Sequence, residues 1–171
     1  MLKNGFTLIE LVVTIIILAI LGVVAAPRFM DLQADARASS LKGLKAEMHG
    51  VMNVLYPKSV IQGLADKPKA DKNKGEENYI VIDGVKVDLV YGYPAADSAN
   101  SWSKLIMAKF EDSQFNPERP ADWYFQNNGN DDFIQFMTQS KKFVGDNCYL
   151  KYTEAKSPTI PPVFEIIDSG C

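Results

Sequence analysis

An α+β fold, with one long N-terminal helix packed on an antiparallel β-sheet head, is what this sequence predicts, and three observations predict it. An apolar run from Phe6 to Ala26 passes into an amphipathic pattern that reaches Leu55. From Tyr79 onward, short runs rich in β-branched and aromatic residues recur between clusters of Gly, Pro, Asn and Asp. The two cysteines, Cys148 and Cys171, both lie near the C-terminal end and predict a disulfide-bounded C-terminal region.

The apolar run is about twenty residues, which at roughly 1.5 Å per helical residue matches a hydrocarbon core of roughly 30 Å. Lys3 on its short N-terminal side predicts an N-in, C-out topology, an asymmetry that Arg28 weakens. Glu10 is the anomaly, because an ionised side chain inside a spanning helix costs on the order of 2.5 to 3.5 kcal/mol. Two readings are open: the carboxyl lies near the interface or is protonated and does nothing, or it has a partner. A cut after Gly5 supplies one, since Phe6 then carries a cationic amine one helical turn from Glu10, and pairing between neighbouring subunits follows. A secretory cut near Ala25-Ala26-Pro27 would instead discard Glu10, but the run is too long for the usual signal-peptide core.

Pro27 removes a backbone donor and Gly22 lowers helix propensity one turn earlier, so the two mark an expected kink. Beyond them Leu41, Leu44, Met48, Val51, Met52 and Leu55 share one face. Tyr56-Pro57 is expected to end the helix, because the residue before proline is pushed away from helical geometry. The Lys67 to Glu77 stretch, of balanced charge and with Pro and Gly, reads as a solvated loop.

Tyr79 to Val90 predicts a hairpin in which Asp83-Gly84 forms a type I′ turn. Asp97 or Ser98 caps a short helix with Trp102, Leu105, Ile106 and Lys109 on one face. Trp123-Tyr124-Phe125, Phe133 to Phe136, Cys148 to Tyr152 and Val163 to Ile166 read as further strands. The roughly 140 residues beyond the apolar run suffice for one core.

Composition excludes several functions. The net charge is −3 with scattered Lys and Arg, so no basic stripe is available for a phosphate backbone and no nucleic acid is expected as a partner. His49 is the only histidine, which leaves no Ser-His-Asp, Cys-His or multi-histidine metal set; no catalytic residues, metal or cofactor are expected. Asn127 to Asp132 offers oxygen ligands but departs from the EF-hand order, and reads better as a turn. Trp102, Trp123, Tyr124, Tyr91 and Tyr93 have the ring faces to stack on sugars, yet aromatics in strands are usually core or subunit contacts. In an exported domain Cys148 and Cys171 should pair, with a loop-entropy stabilisation of roughly 3 to 4 kcal/mol.

Gly5-Phe6-Thr7-Leu8-Ile9-Glu10 resembles the leader-peptidase site of type IV pilins and of the pseudopilins of type II secretion. Tyr91-Gly92-Tyr93-Pro94, Cys148 to Ala155 and Ser169-Gly170-Cys171 resemble the mannose-sensitive haemagglutinin (MSHA) branch of type IVa pilins. The resemblance implies the type IV pilin fold and divides the chain into a leader (1–5), a transmembrane and filament-core half-helix (6–26), an amphipathic half-helix (27–55) and a β-sheet head (56–171). It implies leader cleavage between Gly5 and Phe6, N-methylation of Phe6, and filament assembly through Phe6 and Glu10. The implied partners are other copies of the chain, prepilin peptidase, the pilus assembly machinery, the inner membrane before assembly and surface glycans. The implied role is structural and adhesive, in an extracellular pilus. A minor pilin or a type II secretion pseudopilin is the alternative; major pseudopilins usually lack the disulfide.

Overall fold

The computed structural model describes residues 7–71, 74–127 and 132–171, with side chains described except at 26–30. The expected leader Met1 to Gly5, Phe6 and most of the expected turn from Asn127 to Asp132 therefore lie outside the described residues. The chain divides into two compact units, Met1–Ala36 and Arg37–Cys171.

Helix α1 runs from Leu8 to Ile61, its helical assignment unbroken at Gly22 and Pro27. From Leu8 to Ala25 its side chains are exposed, and this stretch, with a mean hydropathy of 3.0, is long and apolar enough to cross a membrane. In the second unit Leu41, Leu44, Met48, Met52 and Leu55 are buried at the three- and four-residue spacing expected of one helix face, with Val51 half-buried beside them.

The helix passes Leu55, where the sequence pattern placed its end, and Pro57 lies inside it. Packing outweighs the proline penalty: the Tyr56 ring stacks on Tyr93 at 4.4 Å, the Ser59 hydroxyl donates to the Tyr56 carbonyl at 2.7 Å, and Ser59 is fully buried. Termination falls to Gly63 at φ +68°. Its N–H donates to the Val60 carbonyl at 3.0 Å and the Leu64 N–H to Ser59 at 2.9 Å, a Schellman arrangement that satisfies carbonyls the helix end would leave open.

Strands β1 (Tyr79–Ile82), β2 (Val85–Val90) and β3 (Tyr93–Pro94) form a three-stranded antiparallel sheet in sequential order. The first turn is the predicted type I′, with Asp83 at φ 50° and Gly84 at φ 82°. The second has the same signature, Tyr91 at φ 50° and Gly92 at φ 81°. An aromatic residue at positive φ is strained. The Tyr91 N–H donates to the Lys67 carbonyl at 2.8 Å, tying this turn to the loop after α1.

Asp97 is the cap of the next helical piece, its carboxylate accepting the Asn100 N–H at 3.0 Å. That piece is a π-helical turn, Ser98–Trp102, continued by the short α2, Ser103–Leu105. Lys109, expected on one face with Trp102, Leu105 and Ile106, lies beyond its end and is exposed, because the chain turns extended at Ile106.

Strands β4 (Phe110–Asp112), β5 (Trp123–Gln126), β6 (Phe133–Met137), β7 (Tyr149–Thr153) and β8 (Val163–Ile167) form a second sheet in sequential order. All its pairings are antiparallel except β4 with β5, which is parallel and departs from the uniformly antiparallel head expected. The crossover is held at its base: the Asp122 and Trp123 N–H groups both donate to the Lys109 carbonyl, at 2.9 and 3.1 Å, and the Asp122 carboxylate accepts the Lys109 N–H at 2.8 Å.

The main core packs the buried face of α1 with Trp102, Ile134, Phe136, Leu150 and Tyr152. Trp102 meets Tyr152 edge to face at 4.9 Å, a geometry that aromatic rings prefer. Leu55, Leu64, Ile80, Val87 and Leu89 form a smaller core at the three-stranded sheet. A long N-terminal helix followed by β-sheets and closed by a C-terminal disulfide is the architecture of a pilin fold.

Candidate functional site

Two regions carry the residues singled out from sequence. At the start of α1, Thr7 is the N-cap: its hydroxyl accepts the Glu10 N–H at 3.3 Å and donates to the Glu10 carboxylate at 3.4 Å. Glu10 thus sits in the first turn of the helix, where the positive end of the macrodipole favours an anion. Both effects offset part of the cost of placing this carboxylate beside an apolar span. Glu10 is exposed, as is the whole apolar span that follows. Its expected partner, the Phe6 amine, lies outside the described residues.

At the other end Cys148 and Cys171 form a disulfide, with Cα atoms 4.7 Å apart and a sequence separation of 23. Cys148 is fully buried in the main core. The loop it closes is held by further bonds: the Gly170 N–H donates to the Asn147 carbonyl at 3.0 Å, and the Cys171 N–H to the Asp168 carbonyl at 3.0 Å. Arg37 of α1 reaches across, its guanidinium donating to the Cys171 carbonyl and, at 2.8 Å, to the Ser140 hydroxyl. Gly170 leaves no room for a side chain, since a Cβ there would lie 1.9 Å from the Asp146 carbonyl oxygen.

Sequence reasoning missed Glu154. Its side chain is 3% exposed, accepts the Ala96 N–H at 2.6 Å and pairs with Lys69 at 3.0 Å, so one carboxylate joins the loop after α1 to the segment after β3. Beside it the buried Tyr152 hydroxyl donates to the Pro94 carbonyl at 2.5 Å. Burial holds the Tyr152 phenol protonated well above the usual tyrosine range, and the Glu154 charge adds to this. Strand alternation was the available signal: Leu150 and Tyr152 point inward, and Glu154 follows in the same register.

The remaining candidates fall apart as a site. Trp102 and Tyr124 are buried, and Tyr93 is covered by Tyr56, so these rings are not free to stack on a sugar. His49, expected to be simply solvated, is exposed but packs its ring on Phe164 at 4.5 Å.

Residues 1–26 match the family model for the prokaryotic N-terminal methylation motif. The chain carries a prepilin-type N-terminus. It is also 32% identical over 89 residues to the type II secretion system core protein G of Pseudomonas aeruginosa, an alignment covering 46% of this chain and 63% of that protein. No solved structure matches significantly. The chain is therefore prepilin-like in its N-terminal motif and similar to type IV pilins and pseudopilins, structural proteins that are generally not enzymes, and it spans less than two thirds of the length of the curated relative it matches. The apolar helix behind that motif suits an inner-membrane precursor.

Proposed function

We propose that the chain is the structural subunit of an MSHA-like type IV pilus, a surface filament for adhesion and biofilm formation. The supporting observation is the combination of a prepilin-type N-terminus with the Cys148–Cys171 disulfide that closes the C-terminal region. On this reading the leader 1–5 is cut between Gly5 and Phe6, Phe6 is N-methylated, and residues 6–26 leave the membrane to pack helix against helix in the filament core. Residues 27–55 continue that core, with Gly22 and Pro27 as its kink, and 56–171 form the head. Glu10 pairs with the Phe6 amine of an incoming subunit and sets the axial register. Before that pairing, the Thr7 hydroxyl and the helix dipole hold its carboxylate.

Glu10→Ala tests the mechanism. Leader removal should continue while sheared surface filaments fall below detection; normal piliation in this mutant would sink the assembly role. The identity to a type II secretion core protein favours a second reading, in which the chain is a pseudopilin of the same architecture. Abundance in the sheared surface fraction decides between the two, since a pseudopilin stays with the envelope.

A further inference from the structure

Four of the chain's six methionines, Met48, Met52, Met107 and Met137, lie in the second unit. Three of these are core residues: Met48 and Met137 are 0% exposed and Met52 is 7% exposed. Met107 is fully exposed.

The backbone fixes this difference. Beyond α2 the chain turns extended at Ile106, and successive side chains of an extended segment point to opposite sides. Ile106 is buried in the main core and Ala108 packs against the same core, so Met107 between them points outward. The Ala108 N–H donates to the Ile106 carbonyl at 2.9 Å and closes a three-residue turn with Met107 at its tip. Methionine ordinarily fills irregular gaps in a core, a role that Met107 does not have. Its thioether is open to solvent. No thiol competes with it for an oxidant, because both cysteines of the chain are joined in the Cys148–Cys171 disulfide.

We propose that Met107 is a modification site, oxidised to the sulfoxide by hydroperoxides while the core methionines stay reduced. The sulfur lone pair attacks the terminal peroxide oxygen and the O–O bond breaks. The hydroxylated sulfur then passes its proton to the departing oxygen, so the sulfur gains one oxygen atom, gives up two electrons, and the hydroperoxide leaves as its alcohol, or as water where the oxidant is hydrogen peroxide. A sulfoxide is polar where the thioether was apolar. The reaction therefore alters the outer surface at the turn before β4 and leaves the core packing as it was. The inference does not depend on the filament reading, since it concerns one turn of the second unit.

The test is a time course of hydrogen peroxide treatment of the full chain in zwitterionic micelles, read by mass spectrometry of tryptic peptides, which separate Met107 from the buried methionines. Met107 should gain one oxygen more than about tenfold faster than Met48, Met52 or Met137, because a buried thioether reacts only in the fraction of molecules that have opened. In concentrated urea the four rates should converge. The urea midpoint of the Met107 sulfoxide should equal that of the parent, and Met107→Leu should remove the fast product without slowing or speeding the others. The inference is overturned if any of the three core methionines is oxidised as fast as Met107 in the folded chain, or if oxidation of Met107 alone lowers the urea midpoint.

Discussion

Reducing the Cys148–Cys171 disulfide is the perturbation whose size the structure sets most directly. The crosslink closes a loop with a sequence separation of 23. The chain-entropy relation for a loop of that length gives about 3.4 kcal/mol at 25 °C. Against a whole-domain stability of roughly 5 to 15 kcal/mol, this is a large share. The assay is urea unfolding of the full chain in micelles, followed by tryptophan fluorescence, because Trp102 is fully buried against Tyr152. Reduction should lower the unfolding free energy by about 3 kcal/mol and raise the urea dependence, since the uncrosslinked denatured chain exposes more surface. Reduction is preferable to Cys→Ala substitution, which would also leave a cavity at the buried Cys148. A loss below about 1 kcal/mol would refute the entropic reasoning. It would mean that the reduced denatured chain already keeps this loop partly closed.

Four further outcomes are expected. Gly170→Ala should cost about 1 to 3 kcal/mol, because its Cβ meets the backbone of Asp146 rather than a movable side chain; unchanged urea midpoints would contradict this. Stability should fall as pH rises above about 10, because the unfolded chain then loses the Tyr152 proton that the folded protein retains. Tyr152→Phe should flatten that alkaline loss while lowering stability at neutral pH by about 1 kcal/mol, both read from melting curves, through the lost bond to Pro94. Glu154→Ala should cost about 1 to 3 kcal/mol by leaving the Ala96 N–H unpaired, and should speed proteolysis in the Lys69 loop, measured by limited trypsin digestion.

What was legible in the sequence was local. The Asp83-Gly84 turn, the Asp97 cap and the buried face of α1 follow from a few adjacent residues, and the structure places them as the pattern implied. The length of α1 was not legible, because the Tyr56–Tyr93 stack that carries the helix over Pro57 brings together residues far apart in sequence. Strand β4 is only three residues long and pairs parallel with β5 through bonds centred on Lys109, so neither its existence nor its direction had a periodic signal. Of the candidate site, the disulfide follows from residue type and an exported context, while the first-turn position of Glu10, the Thr7 cap and the Glu154 pairing with Lys69 depend on geometry.

The central claim, that this chain is a processed filament subunit, is tested most directly by intact-protein and N-terminal mass spectrometry of material sheared from the cell surface. The account predicts an abundant chain beginning at methylated Phe6, two protons lighter than the reduced form. An unprocessed chain beginning at Met1 and retained in the inner membrane would contradict it.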